Sequence, residues 1–101
     1  MKHYSKLKYE FSSSMWKYAG KGGWHFISLP EEMASEIRAA IRSEEEGWGR
    51  LKATVQIGSS RWDTAIWYDT KQKTYLLPVK AEVRNRESLV ADAMIRVMLW
   101  L

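Results

Sequence analysis

The chain has two prolines, and both close the same phrase. "HFISLPEEMASEI" (residues 25–37) and "TYLLPVKAEVRNR" (residues 74–86) each run from an aromatic through aliphatics to Leu-Pro, then into a charged stretch with helical spacing. Proline removes a ladder donor, so Pro30 and Pro78 must each end a strand. The same ring suits the first turn of a helix, where the missing N–H is no loss. Each phrase therefore predicts a strand that turns into a helix, and one such unit cannot bury its own apolar face. Two units related by an approximate twofold axis close a small barrel, with a helix over each open end. Closure also removes the free strand edges that invite aggregation.

The flanking residues fit that frame. Residues 4–12 alternate, with Leu7, Tyr9 and Phe11 on one side and Lys6, Lys8 and Glu10 on the other, which predicts a half-buried strand. "SSS" relaxes the pattern, Met15 to Tyr18 restore apolar character, and "AGKGG" supplies a turn. Met33, Ile37 and Ile41, with Ala34 and Ala40, stripe the first helix. In "LKATVQI" Leu51, Ala53, Val55 and Ile57 point inward. The second half repeats the order: "RWDTAIWY" and "TYLL" as strands, a shorter helix with Val79, Val83 and Leu89 on its apolar side, and "MIRVMLWL" as the last strand. The expected fold is mostly β: about six strands, two short helices and an internal pseudo-twofold repeat.

With 101 residues, of which 46% are hydrophobic and 28% charged, the chain suits a single globular domain over 1–101. It has no cysteine, so disulfides and thiolate metal sites are excluded and a cytoplasmic location is expected. The opening "MKHYSKLKYEF" lacks the apolar run of a signal peptide. The longest apolar stretch, "MIRVMLWL", is interrupted by Arg96 and far short of the roughly 20 residues of a spanning helix. No membrane partner is expected.

At this level of detail the sequence is similar to a known family. "GKGGWHFISLP", "WGRLKATVQIGSSRW", "TYLLPVKAEVR" and the closing strand resemble, in that order, the bacterial domain-of-unknown-function family DUF1905, from about Phe11 to Leu101. Trp24, Trp48, the Leu-Pro pairs and "YLLPVK" carry the resemblance. It implies a double-split β-barrel, the fold of AbrB- and MazE-type DNA-binding domains, in which two chains usually build what one chain holds here. It implies no activity and no catalytic residues. One departure stands out: where such proteins tend to show Gly-Asp before the last strand, this chain has Ala91-Asp92. A turn needing positive φ would strain the alanine by about 1 kcal/mol, unless the turn takes another shape.

No catalytic constellation emerges. Ser12, Ser13 and Ser14 have only His3 and His25 as conceivable bases, without an orienting partner. Neither HxH nor HxxxH occurs, so no metal site and no cofactor are expected. Asp69 and Asp92 read as turn caps, and "GKGG" reads as a hairpin turn rather than a phosphate cradle. Paired carboxylates for acid–base work would need burial, and nothing in the pattern buries Asp63 or Asp69.

Aromatic residues beside cations are the most suggestive feature. Six tryptophans are present, and strand alternation puts large apolar groups on both faces of "SRWDTAIWY" and "MIRVMLWL". One face is core. The other must be covered by the chain's own helices, by a second copy in a homodimer meeting at Met98 and Trp100, or by a ligand. The expected function is a non-enzymatic binding or interaction module for an unidentified, small-molecule ligand. Its candidate surface comprises Trp16, Trp24, Arg61, Trp67 and Trp100. The alternative is a nucleic-acid binder, for which a net charge of +4 and Lys6, Lys8, Lys52, Arg61 and Arg96 would supply phosphate contacts.

Overall fold

The computed structural model describes residues 7–101, so Lys6, His3 and the start of the first predicted strand lie outside the described residues. The elements run β1 (Lys8–Lys17), β2 (His25–Ser28), α1 (Glu31–Ile41), β3 (Arg50–Ile57), β4 (Ser60–Asp69), β5 (Thr74–Pro78), α2 (Ala81–Arg86) and β6 (Met94–Trp100). Two short 3-10 turns join α1 to β3. The strands close a barrel in the order β1-β2-β5-β4-β3-β6, with β6 returning to β1 and every neighbour antiparallel.

The ring maps onto itself when the two halves are exchanged. Swapping β1 with β4, β2 with β5 and β3 with β6 reproduces the same six neighbour pairs. Register agrees as well. The shift that carries Pro30 onto Pro78 also carries Ser28 onto Leu76, and these two residues face each other in the β2–β5 ladder. On the other side of the barrel Val55 faces Leu99. Superposing the inward rows of β3 and β6 carries one of these residues onto the other, and both are fully buried. A residue that pairs with its own counterpart lies on a twofold axis, so the pseudo-symmetry inferred from the two Leu-Pro phrases is present in the strand register.

The interior is one cluster. Phe11, Met15, Ile27, Leu51, Val55, Ile66, Leu77, Val97 and Leu99 fill the barrel, each side chain contributing roughly 1.5–3 kcal/mol by leaving water. α1 adds Ala34 and Ile37 to that cluster, with Met33 and Ile41 packed beside it, whereas Ala40 is exposed. α2 adds Val83, flanked by Val79 and Leu89. The helices cover opposite ends of the barrel. Arg38 of α1 lies over Tyr68 at the end of β4, and Glu87, just after α2, caps Ser60 at its start.

The strand containing the three serines is longer than expected. The sequence pattern lapses at Ser12–Ser14, yet β1 continues to Lys17, because β6 pairs with each serine in turn. Ser13 also donates its hydroxyl to the Ser28 carbonyl. The turn before β6 takes the other shape foreseen for it: the positive φ falls on Asp92, at 72°, and not on Ala91. Aspartate tolerates the left-handed region better than alanine does.

Candidate functional site

The β1–β2 hairpin builds one wall of a groove on the outside of the barrel. Tyr18 donates its backbone N–H to the Trp24 carbonyl at 2.8 Å, which closes the glycine-rich loop between them. Two of these glycines make room for rings. A Cβ on Gly20 would run into the Tyr18 ring, and one on Gly22, where φ is 102°, would sit 2.9 Å from the Trp24 indole. "GKGG" is thus a hairpin turn that seats two aromatic side chains.

Those rings gather on Phe26. Trp24 stacks on it with centroids 6.0 Å apart and planes 8° from parallel. Trp16 packs at 5.2 Å on a tilt, and Tyr18 meets Phe26 edge-on at 6.5 Å. Opposite stand Trp67 of β4 and Leu76 and Pro78 of β5, brought level by the Phe26–Pro78 and Trp67–Leu76 pairings. The result is two hollows of about 380 and 660 Å³ with Trp24, Trp67 and Pro78 as common wall. The smaller is lined by Tyr18, Phe26 and Leu76. The larger continues over Arg50, Lys52, Thr54, Asp63 and Thr64 and is polar on that side. Trp24 remains 55% exposed and Trp67 38%, so the chain does not cover its own rings here.

The polar end carries both signs of charge. The Arg50 guanidinium lies 5.7 Å from the Trp67 ring and pairs with Glu46. Lys52 has no ion-pair partner among the described residues. Asp63 accepts a hydrogen bond from Thr54 at 2.9 Å.

Of the residues singled out from sequence, Trp24, Trp67 and Lys52 line the groove. Trp16 backs it and is committed to structure, its indole N–H donating to Ser28 Oγ at 2.9 Å. Trp100 and Arg61 stand apart. Trp67 pairs with Arg50 and Trp100 with Thr54, so four residues of β3, roughly 13 Å, separate the two rings along the strand. Arg61 lies 4.4 Å over the Trp100 ring and Lys8 5.5 Å. Arg96 pairs with Glu10 at 2.9 Å, and Lys8 shares that carboxylate at 3.9 Å. Tyr18, Phe26, Arg50 and Asp63 escaped the sequence reading of the site. The nearest signal was Tyr18 and Phe26 flanking "AGKGG" with Trp24.

A family model covers residues 11–99. The chain belongs to that family, Domain of unknown function (DUF1905). No curated protein matches the sequence. In this DUF1905 domain, the two tryptophans that carried the resemblance lie in unlike places. Trp24 walls the groove, whereas Trp48 is 90% exposed at the tip of the Glu46–Arg50 turn, with φ at 68°.

A second polar cluster sits under α1. Tyr75, fully buried, donates its hydroxyl to Glu45, whose carboxylate lies 3.6 Å from Arg38, and Arg38 stacks 3.7 Å from the Tyr68 centroid. Burial first, and the Glu45 hydrogen bond second, push the Tyr75 phenol well above its ordinary range. A phenol held neutral in this way is a donor and a strut, unsuited to nucleophilic work. His25 is likewise engaged, with Nδ1 2.8 Å from the Gly23 carbonyl and Nε2 3.4 Å from Arg84. Among the described residues no three His, Cys, Asp or Glu side chains converge as metal ligands, and no helix is long and apolar enough to cross a membrane.

Proposed function

We propose that this DUF1905 domain is a non-enzymatic binding module whose ligand lies in the groove between Trp24 and Trp67. The observation that carries the reading is the exposure of two tryptophans facing a common hollow, beside a polar slope with an unpaired lysine. A protein with six tryptophans gains by burying them. Keeping these two in water, on a loop whose glycines are shaped around one of them, has no counterpart in stability. Aromatic walls with a few polar groups are the usual make-up of a ligand site.

Thermal-shift screening of the full chain tests this, since any ligand of the native state stabilises it whatever its identity. A groove ligand should quench tryptophan fluorescence and lose its effect in Trp24→Ala and Trp67→Ala. A ligand that stabilises both variants as it does the native chain would place binding elsewhere.

A second reading rests on the Trp100 face, where Lys8 and Arg61 flank one ring. It takes this face as a nucleic-acid surface, in line with the AbrB-type kinship that the sequence suggested. Oligonucleotide binding that weakens steeply with salt and is lost in Arg61→Ala would support it. Indifference at low ionic strength would end it.

A further inference from the structure

We infer that the groove ligand is a peptide: an extended, proline-containing segment in the polyproline II conformation. This rests on the groove being a binding site, as proposed above. Three observations lead to the class.

The first is topological. Every strand of the barrel is paired on both sides, so the sheet offers no edge to a peptide that would add as another strand. A peptide must then bring a backbone that needs no ladder. Polyproline II is such a backbone, extended and free of internal hydrogen bonds, and it docks in aromatic-lined grooves.

The second is the donors. Trp16 spends its indole N–H on Ser28. Trp24 and Trp67 give theirs to no partner among the described residues, while their rings form the groove walls. Two unused N–H donors beside apolar ring faces match a ligand that alternates prolyl rings with free carbonyl oxygens. A purely apolar ligand would leave both donors unanswered.

The third is charge. The polar end presents Lys52 and Arg50 beside the Asp63 and Glu46 carboxylates. A polyanion gains little from so balanced a slope, because each phosphate near Lys52 also approaches Asp63. A peptide can carry an acidic and a basic side chain at neighbouring positions and meet both signs.

The test is fluorescence titration of the full chain with an array of roughly ten-residue peptides built on a Pro-x-x-Pro centre, the flanks varied through Arg, Lys, Asp, Glu and neutral residues. Oligothymidylate is titrated in parallel. At least one peptide should bind, with affinity falling at least about tenfold in Trp24→Ala and in Trp67→Ala. Trp24→Phe, which keeps a ring and removes the donor, should also weaken binding, whereas Trp100→Phe should not. Circular dichroism of each variant confirms that it folds. Lys52→Glu should shift the preferred flank from acidic to basic. If no peptide in the array binds while oligothymidylate quenches and loses its effect in the Trp24 and Trp67 variants, the peptide inference is overturned and the groove reading stands. If neither probe reaches the groove, and the ligands found by thermal shift stabilise both variants like the native chain, both fall.

Discussion

Thr74→Val tests the corner at which the first Leu-Pro phrase bends. Thr74 is buried, at 3% exposure, and its hydroxyl donates to the Leu29 carbonyl at 2.6 Å. Leu29 is itself 2% exposed, and Pro30 after it starts α1 with no side-chain cap. Valine has nearly the same shape but leaves that carbonyl without its hydroxyl partner. Losing the bond and stranding a buried acceptor costs about 1–3 kcal/mol. The added methyl returns about 0.8 kcal/mol through burial. The net expectation is a loss of about 1–2 kcal/mol, which for a domain of this size lowers Tm by about 5–10 °C. Thr74→Ser is the control, because it keeps the hydroxyl and loses only a methyl. Thermal and urea unfolding of the three proteins decide the matter. A valine variant as stable as the native chain would refute the idea that this bond holds the corner.

Three further outcomes follow from other parts of the fold. Gly58→Ala, at φ 58° in the turn joining the halves, should cost about 1–2 kcal/mol from backbone strain alone, read by urea unfolding, and its methyl would also collide with Glu87. Hydrogen bonds from Ser60, then Ser59, hold the Glu87 carboxyl below its ordinary value of 4.5 against an opposing effect of burial. Its contribution is therefore present above that value and lost as pH falls through the lower folded one, so Glu87→Gln should flatten the acid limb of the stability curve. For Tyr75 the sign reverses. Its raised phenol pKa keeps stability intact below about 10 and drains it as pH climbs toward the folded value, so ultraviolet titration should show one tyrosine that ionises only as the protein unfolds.

Much of the architecture was legible because it is written in alternation and in proline. Leu51, Ala53, Val55 and Ile57 had to share a face, and Pro30 and Pro78 had to end strands, whatever their neighbours. Ser12–Ser14 misled because small hydroxyl residues have weak preferences of their own, and a partner strand decided for them. The groove was half legible. Alternation shows that Trp67 faces outward, but not that β5 brings it opposite Trp24, since that needs the strand order. Tyr18 and Phe26 were hidden for the same reason. Trp100 and Arg61 were grouped with the groove because composition counts rings and cations without separating them in space.

The axis that relates the two halves does not relate their surfaces. The shift that carries Pro30 onto Pro78 carries Trp24 onto Gln72 and Phe26 onto Thr74, so the rings crowd one flank while amide and hydroxyl groups hold the mirror position. A scaffold of two like parts thus presents a single lopsided mouth. Whatever rests there is held once per chain and in one direction, and a titration should saturate at equimolar stoichiometry.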